Sequence, residues 1–169
     1  VEAVETMARI AREIERDETH FKPMIDMDMV SVNHEITAQL ARSAVRASTN
    51  LPIKYVVLDT KTGRTGRYLA AFRGRKTVVA VCYRLHAQRI LALSYGVVPI
   101  LRKQELCDRY HFLVDAMEVI EQSDRLEESD LLAIVGGSFG PDGGASYVEI
   151  ADVKRIRERN ERGGACATL

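Results

Sequence analysis

Four short apolar runs, each dense in β-branched residues, constrain this chain more than any other feature. They are IKYVVL (53–58), TVVAVC (77–82), GVVPIL (96–101) and DLLAIV (130–135). A strand with one face in water alternates apolar and polar residues. Near-continuous apolarity requires cover on both faces, which parallel strands joined by crossover helices receive. The stretches between the runs, about 64–73, 86–94 and 103–122, have helical character and predict those helices. A fifth run, SYVEI (146–150), follows DLLAIV after ten residues. That spacing is too short for a helical crossover and long enough for an antiparallel return. The expected class is α/β: a three-layer sandwich in which a five-stranded mixed sheet, four strands parallel and the last antiparallel, carries helices on both faces.

Ahead of the sheet, Val1, Val4, Met7, Ala8, Ala11 and Ile14 recur at three- and four-residue spacing. This predicts an amphipathic helix over 1–17 with one stripe for a partner. Residues 18–30 have no sustained period and contain Pro23, so they read as a linker. Ser31 is placed to cap a second helix over about 32–49, with Ile36, Leu40, Ala44 and Val45 on its inner face, and Asn50-Leu51-Pro52 ends it. The α/β unit is thus expected over 31–151. The tail, 152–169, sets Lys154, Arg155, Arg157, Arg159 and Arg162 against Glu158 and Glu161. It reads as a basic, solvated helix fraying into a flexible end, with a binding arm as the alternative.

With 169 residues, 46% of them hydrophobic, the chain has material for one ordinary core. Its 24 Lys and Arg balance 24 Asp and Glu. No global field attracts a polyanion, so nucleic acid is not an expected partner. Cys82, Cys107 and Cys166 form an odd, dispersed set without a C-x-x-C pair. That argues against a disulfide framework or zinc site and for a reducing compartment. No run reaches the length of a membrane span and the opening VEAVETMARI is no secretory signal. A cytoplasmic location without membrane contact is expected. The chain opens inside what reads as a helix already under way, as if cut from a longer polypeptide.

The segment that points to chemistry is DTKTGRTGR, Asp59–Arg67, between the first strand and the next helix. Carboxyl ends of parallel strands are where ligands bind, and a helix start presents free N–H groups at a positive dipole end. Gly63 lets the backbone approach an oxygen cluster; Thr60, Thr62 and Thr65 can donate hydroxyls; Lys61 and Arg64 add charge-assisted bonds. A phosphate group fits that set. The segment is neither a P-loop nor a dinucleotide fingerprint, and a tight turn with capping threonines is the competing reading. The second segment, GGSFGPDGG at 136–144, is also at a strand's carboxyl end. Gly137, Ser138, Gly140, Asp142, Gly143 and Gly144 can bring backbone to a phosphate, or form a wide hairpin turn through Pro141-Asp142-Gly143.

Other candidates are weaker. His20, His34, His86 and His111 are scattered and receive no catalytic role; Asp26 and Asp28 alone make a poor cation site; Cys82 reads as a buried, inert thiol. No paired-carboxylate or general-base arrangement stands out, so no catalytic residue is assigned.

These residues resemble the C-terminal domain of pyruvate kinase. VEAVETM is similar to the segment that opens the last helix of that enzyme's catalytic barrel. TKTGRTGRYLAAFRGRKTVVAV is similar to the family's Thr-Lys-Ser-Gly-Arg-Thr-Ala stretch with its helix, Arg-Pro turn and apolar strand. RILALSYGVVPIL resembles its Leu-x-Leu-x-x-Gly-Val-x-Pro strand, and GGSFGPDGGASYVEIADV its glycine-rich effector loop and last strand. The resemblance implies a regulatory and oligomerisation domain beside a barrel, in a homotetramer, binding a sugar phosphate or nucleotide effector. Thr60, Lys61, Thr62, Gly63 and Thr65 would cradle one phosphate and Gly137–Gly144 would close over the effector. It also implies that magnesium, potassium, phosphoenolpyruvate and ADP bind elsewhere in the enzyme. This domain would hold no cofactor and would not catalyse alone.

Departures bear on the effector. A Trp and an Arg that clamp the second phosphate in fructose-bisphosphate-regulated members align with Leu106 and Leu113, and Arg109 and Phe112 are nearby without being equivalent. The Arg-Pro turn reads Arg73-Gly74, and Gly66 stands for the usual Ala. The effector class stays open between a monophosphate, a bisphosphate and none. A free-standing protein with this domain and a separate small-molecule role is the alternative.

Overall fold

The computed structural model describes residues 2–16, 24, 35–102, 111–137 and 144–164. In chain order the elements are α1 (Glu2–Arg16), α2 (Ile36–Asn50), β1 (Ile53–Thr60), α3 (Arg64–Ala71), β2 (Val78–Cys82) and α4 (Leu85–Leu91). Then come β3 (Val97–Leu101), α5 (His111–Glu121), β4 (Leu131–Gly136), β5 (Tyr147–Asp152) and α6 (Val153–Gly164). The strands form one five-stranded sheet in the order β3-β2-β1-β4-β5. The first four are parallel and β5 runs antiparallel to β4. The expected mixed sheet is what forms.

Strand alternation divides the core in two. Val56 and Leu58 of β1 point with Ala80 and Cys82 of β2 and Val135 of β4 into a cluster completed by Val45 of α2, Leu69 of α3 and Leu91 of α4. Val57, Val79, Val81, Leu132 and Ile134 point the opposite way, into a cluster with Phe112 and Leu113 of α5 and Val153 and Ile156 of α6. Central strands covered on both faces have no solvent side on which to place polar residues, which is why their sequences do not alternate.

Three local readings differ from the structure. Helix α2 begins at Ile36, so Glu35 and not Ser31 holds the cap position. Its inner face is Thr37, Ala38, Ala41, Ala44, Val45 and Ser48, while Ile36 is 70% exposed. Small residues let this helix lie close to the sheet; the sequence reading placed Ala44 and Val45 on the inner face, as the structure does, and added Ile36, which is not there. The tail helix is not solvated all round: Val153 and Ile156 are buried. Two apolar residues three apart suffice to dock one face of an otherwise charged helix. Helix α1 keeps its predicted stripe but buries none of it; Val4, Met7, Ile10 and Ile14 are all exposed.

Candidate functional site

Strand order places a topological switch point between β1 and β4: from β1 the chain moves to β2 on one side, while β4 pairs on the other. In open α/β sheets the crevice above such a point receives ligands. The Thr60–Thr65 turn leaves β1 there, and Gly137 follows β4 at the same edge.

The turn is built from its own residues. Gly63 precedes α3 with φ 79°, a left-handed conformation open to glycine at little cost. Its N–H donates to Thr60 Oγ1 at 3.0 Å, and Arg67 N–H returns to Gly63 O at 3.0 Å, closing the first helical turn. Helix geometry then leaves the N–H groups of Arg64, Thr65 and Gly66 without an intrahelical acceptor. Thr60 and Thr65 are buried and Thr62 is exposed. Thr60 does not cap α3, whose cap residue Gly63 has no side-chain cap hydrogen bond; the Thr60 hydroxyl fixes the turn that leads into the helix.

Arg64 is held from the side. Its guanidinium meets Glu35 at 2.5 Å, and Tyr68 Oη donates to the same carboxylate. The bond to Glu35, with burial second, raises the Tyr68 phenol above its usual range. Glu35 sits just ahead of α2, where a helix N-terminus favours negative charge. The charge of Arg64 is therefore paired with Glu35 at a half-exposed position, and the second cation of the sequence-predicted set, Lys61, acts on the carboxyl of Asp59.

Sequence reasoning passed over Asp59. Its carboxyl accepts hydrogen bonds from its own backbone N–H and from that of Gly137. Burial, working against those bonds and the charge of Lys61, pushes it up to about 6. An aspartate closing an otherwise apolar strand was the signal available. Of the glycine-rich segment, Gly137 and Gly144 are described, and Gly144 lies against the buried Thr37 of α2. Ser138, Gly140, Asp142 and Gly143 lie outside the described residues, as do Leu106, Arg109, His20, His34, Asp26 and Asp28.

The remaining candidates resolve simply. Leu113, at the position of a phosphate-clamping residue in the resemblance, is buried in the core with Phe112. His86 and His111 are exposed. Burial pushes the Cys82 thiol up to about 11, which leaves little thiolate at neutral pH. Among the described residues no group of three or more His, Cys, Asp or Glu can hold a metal, and no helix is long and apolar enough to cross a membrane.

Comparison with known proteins gives this arrangement a family. The chain is 26% identical over 164 residues to a pyruvate kinase of Borreliella burgdorferi, covering 95% of this chain and 34% of that protein. It is 28% identical over 160 residues to pyruvate kinase 2 of Synechocystis, covering 94% and 26%. With a pyruvate kinase of Bacillus licheniformis it shares 27% over 150 residues, covering 89% and 25%. The chain spans a quarter to a third of the length of these relatives. The family model described as pyruvate kinase, alpha/beta domain, matches residues 38–151, well over half of the chain, and to that family the protein belongs.

Proposed function

We propose that this is the regulatory C-terminal domain of a pyruvate kinase, binding a phosphorylated effector at the Thr60–Thr65 turn. The observation that carries the reading is the start of α3. A left-handed Gly63, fixed by Thr60, starts α3 at the carboxyl end of a central strand, where helix geometry leaves the amides of Arg64, Thr65 and Gly66 without an intrahelical acceptor. Aligned N–H groups and a positive helix end suit a phosphate, and Lys61 adds a charge-assisted bond. A sugar phosphate or nucleotide would supply the group. Phosphoryl transfer between phosphoenolpyruvate and ADP, with its magnesium and potassium, would belong to a catalytic barrel outside this chain, and the assembled enzyme would be a homotetramer.

Calorimetry with a panel of sugar phosphates and nucleotides tests the effector role. At least one ligand should bind, and Lys61→Ala should weaken it by about 1.5–3 kcal/mol, the worth of a charge-assisted bond. A flat response across the panel, with the variant behaving like the parent, would overturn the reading.

A further inference from the structure

The formal charge of zero averages two unlike parts. Between residues 36 and 102 the sequence holds 12 Arg and Lys against one acid, Asp59, which leaves 12 against 23 for the rest of the chain. The helices of that segment, α2, α3 and α4, pack on the same face of the sheet. One layer of the sandwich is therefore strongly basic. Whole-chain neutrality, which argued against a polyanion as partner, does not describe this face.

Part of the charge is gathered into a strip. Arg42 and Arg46 stand one helical turn apart on α2. The Arg42 guanidinium lies 5.3 Å from the centre of the Phe72 ring, and that of the next residue, Arg73, lies 4.7 Å from the centre of the Tyr95 ring. A methyl group on Gly74 would stand 3.2 Å from Val45 Cγ1, so the turn after α3 is seated against α2. Arg46, Arg73 and Arg75 are exposed, and close to Tyr95 in the chain the Leu93 side chain is 92% exposed. Arg73 has φ 50° and is the one non-glycine residue with positive φ among the described residues. A left-handed arginine costs free energy that glycine or asparagine would avoid, which marks its side chain as the reason for the residue. The turn runs into β2, and residues 92–96 run into β3. The strip thus lies at the amino ends of parallel strands, on the other rim from the Thr60–Thr65 turn.

We propose that this strip binds single-stranded nucleic acid, with Arg46, Arg73 and Arg75 on its phosphates and a base beside Tyr95 and Leu93. The site is independent of any ligand at the Thr60–Thr65 turn. Guanidinium forks match phosphate oxygens two at a time, and every base offers an apolar face to a ring or an aliphatic side chain. Cations strung along a helix and the turn beside it suit a flexible polymer, whereas one small anion would meet only one or two of them. An acidic polypeptide would meet the arginines and gain little from a stacking ring.

Fluorescence anisotropy of a labelled oligothymidine of about 16 nucleotides, titrated with the full chain, reads the binding. Affinity should fall about 20-fold between about 50 and 200 mM salt, as three phosphate contacts on a single strand require. Arg46→Ala and Arg73→Gln should each weaken binding several-fold and reduce the slope of log affinity on log salt by about 0.7. Tyr95→Ala should weaken binding and leave that slope unchanged. Arg84→Ala removes the same charge just ahead of α4, at the other rim, and should behave like the parent. Thermal unfolding checks that each variant is folded; Arg73→Gly, at home in the left-handed conformation, replaces Arg73→Gln if that variant does not fold. No binding at the lower salt, or a loss with Arg84→Ala equal to those at Arg46 and Arg73, overturns the proposal. So does displacement of the oligonucleotide by polyglutamate at equal charge with Tyr95→Ala binding like the parent, which would make the strip a docking face for acidic protein.

Discussion

Gly66 lies against Leu91 so closely that a methyl group on its Cα would come within 2.8 Å of Leu91 Cδ2. Leu91 is fully buried between α4 and the sheet, so its methyl groups would have to shift among close-packed neighbours. Gly66→Ala sets a gain in helix propensity of about 0.5–1 kcal/mol against an overpacking cost of about 1–3 kcal/mol. The second should win, giving a loss of about 1 kcal/mol in urea unfolding. Combining it with Leu91→Ala should recover part of that loss relative to the sum of the single changes, a coupling that a double-mutant cycle reads directly.

The Thr60 hydroxyl has one structural task, accepting the buried Gly63 N–H. Thr60→Val preserves shape and strands that donor, so stability should fall by about 1–3 kcal/mol. Thr60→Ser should retain most of it. Equal unfolding midpoints for the Val and Ser variants would refute the assignment.

Asp59 should also shape stability against pH. Its carboxyl ionises at about 6 in the fold, above the ordinary 3.8. The folded state therefore holds the proton more tightly than the unfolded chain. This contribution is complete below about pH 4 and is lost as pH rises through about 6; at higher pH the buried charge costs on the order of 1–3 kcal/mol. Asp59→Asn should be more stable than the parent at about pH 7.5 and nearly level with it at about pH 4, measured by denaturant unfolding across that range.

Helix α6 is anchored by apolar burial. Ile156 is 1% exposed in the cluster with α5 and β4. Ile156→Ala should cost about 2–5 kcal/mol, the range for emptying a core position. A change below 0.5 kcal/mol, the scale of surface substitutions, would show the helix to be undocked.

The stripe on α1 should behave oppositely. Val4, Met7, Ile10 and Ile14 bury nothing against this domain. Serine at Val4 and Ile10 should leave the domain's unfolding midpoint within about 0.5 kcal/mol of the parent.

The sheet was readable because its strands carry one simple signal: buried on two faces, they have little room for polar residues, and IKYVVL and TVVAVC say so without help from neighbours. Helix faces were less readable. The inner side of α2 uses Ala38, Ala41 and Ala44, whose small size matters only once the sheet beneath them is known, and Ile36 drew attention away from them. The Thr60–Thr65 turn stood out through its glycine and hydroxyls, yet the engagement of Arg64 by Glu35 depends on α2 and α3 meeting in space. Asp59 was illegible for a similar reason. An aspartate after Val-Val-Leu looks like the polar end of a strand until β4 brings Gly137 alongside it.

Because β5 reverses direction, α6 starts at the opposite rim from the phosphate-type turn: Val153 N–H bonds Asp130 O, next to the beginning of β4. The Thr60–Thr65 turn and the start of α6 thus stand at opposite ends of the sheet. Lys154, exposed at the start of α6, is a position where a dye can be attached while the turn stays uncovered.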